Sequence, residues 1–510
     1  MEMPTFYIQQ FGCRATQADG AAIERQLLDR GFRPAPEPVS AAIVVLNTCT
    51  VTAAADAQAR DAIRKIHDQN PAARLIVTGC YAQRAPEELA ALPGVSWVVG
   101  NSHKPQIPNL VTILAAAAPS FVGAQHAAPL LGTTSDLLLG ARHEVPGPYS
   151  LTHHLAELPP SANILSGDIF SHPEFLSAPI QGGESGHTRP ILKIQDGCNN
   201  RCSFCVIPFV RGKSRSLPPD SVIREMQTLT QSGSREIVLS GINLGTYGRD
   251  LSPRVEFIAL IRRILDETSL ERLRISSIEP QDVTQDLIEL FASTGRIAQH
   301  FHMPLQSASD RILAAMHRWY RSEHYARRLE LIHDRLPHAA IGADVIAGFP
   351  GESESDHAAT LAFIERHPFT YLHVFSYSSR PGTKAASLPN QVPPQIIKRR
   401  ARELRALSES KSASFRHSQL NRTLRVLTLH RHEDSVTDHT GAEYTPALSS
   451  NYLRVQIPGI FASNLWQNLI VKSQEGNYLV GESASTPDSQ PSLKSAVNLC
   501  ESSEYSAPLG

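Results

Sequence analysis

The stretch Asp196-Gly-Cys-Asn-Asn-Arg-Cys-Ser-Phe-Cys-Val-Ile-Pro208 places three cysteines within eight residues, directly after an apolar segment, 191–195, that predicts a β-strand. The spacing is Cys198-x3-Cys202-x2-Cys205. Cysteine thiolates hold iron–sulfur clusters, normally four for a cluster of four irons, so three would leave one iron open to a small chelating molecule. A zinc knuckle is the alternative, but no fourth cysteine or histidine lies close in the sequence. The stretch therefore predicts an iron–sulfur site in a loop that follows a strand.

The residues downstream of this loop alternate between predicted strands and helices. Apolar strands fit 236–240, 273–278, 297–303, 341–349 and 371–376, and helical spacing lies between them at 220–231, 256–266 and 325–336. With 191–195 these make six strand–helix units over about 220 residues. We therefore expect an α/β fold whose central part is a partial (βα)6 barrel. Active sites of such barrels lie at the carboxyl ends of the strands, where the cysteine loop also begins.

The first 117 residues show the same alternation, which predicts a parallel sheet. Strands fit 6–12, 41–48 and 74–78, with helices over 17–30 and 53–68. Each predicted strand is followed at once by a cysteine, and these are Cys13, Cys49 and Cys80. Because ligands bind at the carboxyl edge of open α/β sheets, the three thiols are expected to converge there. Three unrelated buried cysteines are the alternative.

Residues 118–188 have a different composition from the rest of the chain. Proline and glycine make up 23% of residues 119–188, against 13% of the whole chain, and residues 118–187 carry a net charge of −5. Hydrophobic periodicity is weak in this segment. It is therefore predicted to be a linker or insertion that is partly disordered.

A basic stretch follows the predicted barrel. Residues 394–431 contain ten lysines or arginines and two glutamates, a net charge of +8. Apolar strands at 423–429, 453–457, 469–472 and 478–481 predict a small C-terminal β-barrel. A β-barrel behind a basic helix suits binding of an RNA backbone, and a merely solvated helix is the alternative. The Ser- and Pro-rich tail is predicted to be disordered, and no role is assigned to its Cys500.

Composition excludes several classes of protein. The chain has 510 residues, enough for about three domains. Its net charge is −1, so the protein as a whole has no positive electrostatic potential that would attract nucleic acid. Seven cysteines are too few for a disulfide scaffold of this length. No apolar run approaches the ~20 residues of a membrane span, and the N-terminus does not resemble a secretory signal. We expect a cytoplasmic protein that does not bind membranes.

The cysteine motifs resemble those of a known family. The stretch 196–208, followed by Arg211-Gly212, resembles the radical S-adenosylmethionine (SAM) methylthiotransferases. The second cluster-binding domain of that family is similar to Phe11-Gly-Cys-Arg-Ala-Thr-Gln-Ala-Asp19, Asn47-Thr-Cys-Thr-Val-Thr52 and Thr78-Gly-Cys-Tyr81. Asp-Gly-Cys-Asn-Asn and Phe-Gly-Cys-Arg are most similar to the branch that acts on N6-threonylcarbamoyladenosine in tRNA. The alternatives are the branches that act on isopentenyladenosine and on a ribosomal protein.

This resemblance implies SAM and two 4Fe-4S clusters as cofactors. The radical-generating cluster would be held by Cys198, Cys202 and Cys205, and a second, sulfur-carrying cluster by Cys13, Cys49 and Cys80. One SAM would methylate the sulfur, and another would supply the radical that removes hydrogen from adenine C2. The partner would be the anticodon loop of tRNA, while the electron donor and sulfur donor stay unidentified. The two complete cysteine triads argue against a third hypothesis, an iron–sulfur RNA-binding or redox-sensing protein without turnover.

The family interpretation also suggests residues that contact SAM. The expected set is Phe204, Gly241, Asn243, Glu279 and Arg380, each with a purely structural role as the alternative. Phe204 would pack near the adenine, and the segment from Gly241 to Asn243 would approach the methionyl group. Glu279 and Arg380 follow predicted strands, as do Gln306 and Asp344. His302 and His373 are expected to be hydrogen-bonded barrel residues, and no catalytic residue is assigned.

These interpretations divide the chain into five segments. They are an N-terminal cluster domain (1–117), the linker (118–188), a radical SAM domain (189–417), a TRAM-like RNA-binding domain (418–482) and the tail (483–510).

Overall fold

The computed structural model describes residues 4–116, 162–171, 176, 178–179, 188–430 and 443–484. The chain divides into two compact units. The first holds residues 1–11, 23–50 and 55–168, and the second holds residues 12–22, 51–54 and 169–510. Cys500, nearly all of the predicted tail and most of the predicted linker lie outside the described residues.

The sheet of the first unit is parallel and has six strands among the described residues. They are β1 (Thr5–Gln10), β2 (Arg33–Pro34), β3 (Ile43–Thr48), β4 (Arg74–Gly79), β5 (Val95–Gly100) and β6 (Asn163–Leu165), in the order β2-β1-β3-β4-β5-β6. β3 is buried along its whole length, as in a parallel sheet covered on both faces. β6 belongs to the segment predicted as a linker, so that segment supplies one edge strand.

Five helices alternate with these strands along the described part of the chain, and the first two begin in residues of the second unit. They are α1 (Arg14–Leu28), α2 (Ala53–Gln69), α3 (Cys80–Arg84), α4 (Pro86–Ala90) and α5 (Ile107–Ala116). Ala59, Ile63 and Ile66 recur at helical spacing along α2 and are buried. They pack in one core with Val44 and Leu46 of β3.

The second unit contains the predicted partial (βα)6 barrel, so this part of the fold prediction is confirmed. Its parallel strands are β7 (Ile191–Asp196), β9 (Glu236–Gly241), β10 (Arg272–Ile275), β11 (His300–His302), β12 (Ala340–Ala347) and β13 (Tyr371–Ser376), and β8 (Arg215–Ser216) pairs antiparallel with β7. Isolated bridges from Leu273 to Ile297 and from Ser277 to His302 join β7, β9 and β10 to β11, β12 and β13.

Helices surround these strands. They are α6 (Ile207–Arg211), α7 (Pro219–Gln231), α8 (Phe257–Glu267), α9 (Gln285–Ser293), α10 (Asp310–Ala315), α11 (Ser322–Arg335), α12 (Glu354–Arg366) and α13 (Pro394–His417). Short 3-10 turns occur at Pro38–Ser40, Lys104–Gln106, Ile169–Ser171, Leu244–Thr246, Pro280–Asp282 and Lys384–Ser387. None of the helices in the described residues combines the length and apolar character needed to cross a membrane.

The predicted C-terminal β-barrel is also confirmed. Strands β14 (Thr423–Thr428), β15 (Tyr444–Ser449), β16 (Arg454–Pro458), β17 (Trp466–Glu475) and β18 (Tyr478–Ser483) close in the order β14-β15-β16-β18-β17. Two buried arginines of β10 hold this barrel. Arg272 donates to the carbonyl of Leu448 (3.0 Å) and Arg274 to that of Ser449 (2.9 Å). Glu236 pairs with both arginines, which balances their charge inside the unit.

The basic stretch is not uniformly available to a partner. Arg400 is buried and pairs with Glu352 (2.9 Å), and both Arg399 and Arg400 contact Glu354. Lysines and arginines of α13 that remain exposed are Lys398, Arg399, Arg402 and Arg405. Part of the predicted +8 is therefore neutralised inside the fold.

Candidate active site

The cysteine loop after β7 is anchored by Asp196, the last residue of that strand. The Asp196 carboxylate accepts hydrogen bonds from Gly197 N (2.8 Å), Arg211 Nη1 (2.9 Å) and Lys193 Nζ (3.0 Å). Burial alone would raise the pKa of Asp196, but the Arg211 and Lys193 cations hold that pKa well below its usual range. The carboxylate therefore stays ionised and joins the start of the loop to α6, where the loop ends.

Close backbone contacts determine the path of the loop. Gly197 has φ +71°, and a Cβ there would lie 2.0 Å from the Lys213 carbonyl oxygen, so only glycine fits. Further along, Ser203 N donates to Met316 O (3.1 Å), and Ser203 O accepts from Ala385 N (2.7 Å). Segments far apart in sequence thus hold the three cysteines in place.

A cavity of about 550 Å³ opens above this loop at the carboxyl ends of the strands. The three loop cysteines line it, together with four of the residues expected to contact SAM: Phe204, Gly241, Asn243 and Glu279. Arg380, the fifth expected residue, is buried and is not among the residues that line this cavity. Four of the five residues that were expected from the sequence to contact SAM therefore line one cavity.

Asn243 contributes a polar group to the wall of the cavity. Its Nδ2 lies 3.9 Å from Cys198 Sγ, and its buried Oδ1 has no hydrogen-bond partner among the described residues. The neighbouring Gly241 is closely packed, because a Cβ there would lie 2.9 Å from Leu244 Cδ2 and 3.0 Å from Gln195 Oε1. A buried acceptor without a partner is costly, so this oxygen is suited to a donor on a bound molecule.

Arg318 is a site residue that the sequence motifs did not indicate. Its Nη1 donates to Cys202 Sγ (3.3 Å), and its Nη2 forms an ion pair with Glu279. Burial raises the pKa of Glu279 despite this pairing. Burial likewise raises the pKa of Cys205 to about 12, so an external positive charge is needed to hold that thiolate. A metal cluster supplies such a charge.

A hydrogen-bonded network also lines this cavity. His302 contacts the Tyr371 hydroxyl (2.9 Å) and Asp344 Oδ1 (2.9 Å), and His373 lies 3.4 Å from the same carboxylate oxygen. His302 is therefore hydrogen-bonded through both ring nitrogens, as expected, and His373 lies beside the same carboxylate. Tyr371 can reach its partners because β12 has glycine opposite it: a Cβ on Gly342 would lie 2.0 Å from the tyrosine ring.

A smaller, mainly apolar cavity of about 220 Å³ adjoins the cysteine loop. It is lined by Phe204, Val206, Ile346, Phe375 and Tyr377, among others. Phe204 also packs edge-on against Phe349, with ring centroids 6.4 Å apart. Aromatic walls of this kind suit a flat heterocyclic ring.

In the first unit, Cys49 and Cys80 follow adjacent strands. β3 and β4 are in register to their ends, where Thr48 pairs with Gly79, and both thiols are buried. Gly79 has φ +102°, and a Cβ there would lie 2.2 Å from the Thr48 carbonyl oxygen. This close approach places the two cysteines at the same edge of the sheet. Cys13 belongs to the second unit, where it is exposed and lines the larger cavity.

Two family models match the chain. The Radical SAM superfamily matches residues 192–364, which contain the cysteine loop and five of the six barrel strands. Residues 5–100 match a family described as uncharacterized protein family UPF0004. Each match coincides with one of the two cysteine triads.

Curated relatives extend over most of the chain. Threonylcarbamoyladenosine tRNA methylthiotransferase MtaB of Aquifex aeolicus is 34% identical over 82% of this chain and 92% of its own length. The Bacillus subtilis protein of the same name is 33% identical over 90% of this chain and 91% of its own length. The tRNA-2-methylthio-N(6)-dimethylallyladenosine synthase of Syntrophobacter fumaroxidans is 33% identical over 79% of each chain. The chain is therefore a member of the radical SAM methylthiotransferases, a family of enzymes whose cofactors are SAM and two 4Fe-4S clusters.

Proposed function

We propose that this enzyme attaches a methylthio group to C2 of N6-threonylcarbamoyladenosine 37 in the anticodon loop of tRNA. The observation that carries the proposal is the cavity lined by all three loop cysteines at the carboxyl ends of the barrel strands. The choice of substrate is supported by two relatives that are named threonylcarbamoyladenosine tRNA methylthiotransferases. Each is similar to this chain over about nine-tenths of its own length. The reaction takes place in the cytoplasm, where tRNA is matured.

The side chains of the cavity fit the expected cofactors. Cys198, Cys202 and Cys205 would hold the radical-generating cluster, and Asn243 Oδ1 would accept a hydrogen bond from SAM. Phe204 would lie beside the adenine of SAM, where the smaller cavity offers an aromatic wall. When bound, these cofactors supply the radical chemistry that removes an unreactive hydrogen from an adenine carbon. Cys13, Cys49 and Cys80 would hold the second cluster.

The remaining residues of the site hold the side chains of the cavity wall in position. The buried Arg318 guanidinium holds the Cys202 sulfur and Glu279 in fixed positions. His302 contacts Asp344 through one ring nitrogen and the Tyr371 hydroxyl through the other, and all three residues line the cavity. A target base must leave the base stack to enter such a cavity, which is easiest for a loop nucleotide. For this reason an anticodon-loop purine is a suitable substrate.

The alternative substrate is dimethylallyladenosine 37, because a relative named for that reaction is nearly as similar. A ribosomal protein is a further alternative. The two nucleosides differ in charge, since the threonylcarbamoyl group carries a carboxylate and the dimethylallyl group is apolar. The charges of the cavity therefore bear on the choice.

Mass spectrometry of tRNA nucleosides tests the proposed function. Cells without the protein should lose the methylthio form of threonylcarbamoyladenosine and accumulate the precursor, and wild-type protein should restore it. Protein with Cys198→Ala is the matched control and should not restore it. Loss of methylthio-dimethylallyladenosine instead would support the alternative nucleoside, and unchanged tRNA with an altered ribosomal protein would overturn the proposal.

A further inference from the structure

Arg14 is a cation at the wall of the larger cavity that the proposed chemistry does not use. It is the first residue of α1, is partly buried, and lines the same cavity as the three loop cysteines. Its Nη2 donates to the Tyr452 hydroxyl (3.3 Å). Within the described residues no carboxylate lies at ion-pair distance from Arg14, although most buried or half-buried arginines of this unit have one. A guanidinium has five N–H donors, so it can hold a further acceptor.

Tyr452 comes to this cavity from the C-terminal barrel. It lies in the turn between β15 and β16 with φ +64°, and its ring stacks on His300 with centroids 4.4 Å apart. Burial would raise the pKa of Tyr452, but Arg14, Arg189 and Arg274 together bring it below its ordinary value. The surroundings of this hydroxyl are therefore positive. His300 is buried, and its Nδ1 has no hydrogen-bond partner among the described residues.

The turn that carries Tyr452 is held firmly. Arg274 donates to the carbonyl oxygens of Ser449 (2.9 Å) and Ser450 (3.1 Å) and lies 5.3 Å from the centre of the Tyr452 ring. Ser450 Oγ accepts from Gln299 N (3.0 Å). Tyr452 is thus positioned by contacts with the partial barrel, and through its hydroxyl it positions Arg14.

We infer that Arg14, oriented by Tyr452 and flanked by His300, receives the carboxylate of the threonylcarbamoyl group of the substrate. The inference rests on the proposed function and names the contact that selects its substrate. An anion that leaves water needs a paired cation, and arginine binds carboxylates with two parallel hydrogen bonds. Dimethylallyladenosine would leave the guanidinium without a partner, so the same residue disfavours the alternative nucleoside.

A phosphate of the RNA backbone has similar chemistry and could also reach Arg14. The two sources differ in one respect: every tRNA has phosphates, but only tRNA with the modified adenosine has the carboxylate. Binding to otherwise identical tRNAs with and without the threonylcarbamoyl group therefore separates them.

The experiment measures the affinity of the reconstituted two-cluster enzyme for both tRNAs. Wild type should prefer the modified tRNA by about tenfold, in line with one hydrogen-bonded charge pair. Arg14→Gln should reduce the preference to less than about twofold without changing affinity for the unmodified tRNA. Arg254→Gln, at an exposed arginine outside the cavity lining, should keep the preference. Iron content should stay at about eight per chain in both variants.

A second variant tests the positioning role. Tyr452→Phe keeps the stacked ring and removes the hydroxyl that holds Arg14, so the preference should fall to an intermediate value. An equal loss of affinity for both tRNAs in Arg14→Gln would assign the contact to a backbone phosphate and overturn the inference. So would a preference that survives in Arg14→Gln or is absent in wild type. Mass spectrometry of tRNA nucleosides from cells tests the proposed function independently of this binding experiment.

Discussion

Nη1 of Arg318 lies 3.3 Å from Sγ of Cys202, so a buried guanidinium touches one of the three thiols of the active-site loop. The other terminal nitrogen of Arg318 pairs with Glu279, which lines the same cavity. Hydrogen bonds and positive charge next to cluster thiolates favour the reduced, more negative form of a cluster. The arrangement therefore bears on how easily an electron enters the site.

Replacing Arg318 with glutamine should lower the midpoint potential of the radical-generating cluster, because the positive charge next to Cys202 is removed. A redox titration of the reconstituted protein followed by electron paramagnetic resonance measures this potential. Arg318→Lys keeps the charge and should retain a potential close to that of wild type. If the glutamine variant also titrates as wild type does, Arg318 has no part in tuning the cluster.

The two cysteine triads should be separable. Cys198→Ala should lower the iron content from about eight to about four per chain and abolish cleavage of SAM. Cys49→Ala should remove the other four irons and leave SAM cleavage largely intact, because its thiol belongs to the other triad. Iron analysis and quantification of 5′-deoxyadenosine provide the measurements. Normal methylthio product from the Cys49 variant would show that this thiol is not a ligand.

Exposed cations of α13 should contribute to tRNA binding, whereas Arg400 should contribute to stability. Replacing Lys398, Arg402 and Arg405 with glutamine should weaken binding and reduce the slope of log K against log salt, by up to ~0.9 for each phosphate that is no longer neutralised. Arg400→Ala should instead destabilise the fold by ~3–5 kcal/mol, because it leaves buried Glu352 without its cation. Salt titrations and urea unfolding distinguish the two effects. If log K depends on log salt with the same slope in wild type and in the triple variant, the exposed face of α13 does not bind RNA.

Glu236 should make the stability of the second unit depend on acid pH. Burial disfavours its charge, but Arg274, Arg272 and Arg189 hold its pKa well below the ordinary 4.5. A lowered pKa stabilises the fold fully at pH values above the ordinary pKa, and this contribution declines as the pH falls toward the folded pKa. Glu236→Gln should therefore cost ~3–5 kcal/mol at pH 7 and clearly less at pH 3.

Fluorescence of Trp466 can follow this unfolding, because its ring lies 4.4 Å from the Arg272 guanidinium. Trp97 and Trp319 would first be replaced with phenylalanine so that only this ring reports. A cost that is the same at pH 7 and pH 3 would show that ionisation of Glu236 does not stabilise the unit.

Local patterns were sufficient for the architecture. Most strands of the partial barrel contain consecutive apolar residues, and five of the six predicted strands begin within one or two residues of the observed ones. β11 is the exception: 297–303 was predicted, and only His300–His302 is a strand, because residues before it form an isolated bridge from Ile297 to Leu273. The C-terminal barrel followed from the same kind of pattern.

Charge was predicted less well than secondary structure. The net +8 of 394–431 is a sum over sequence, and it treats all ten cations alike. Arg399 and Arg400 meet glutamates at the start of α12, and Arg416 is buried. The net charge of 394–431 does not include these glutamates, because they lie about 45 residues away in sequence.

The chemistry of the enzyme and the order of its folding units could be predicted from the sequence, since the cysteine spacing and the strand–helix alternation are properties of consecutive residues. The side chains that complete the site became evident from the three-dimensional contacts. Arg318 meets Cys202 across 116 residues and Arg14 meets Tyr452 across 438. Contacts of this range depend on the packing of several elements at once, because a side chain reaches its partner only after the helices, loops and turns that carry the two residues have been brought together.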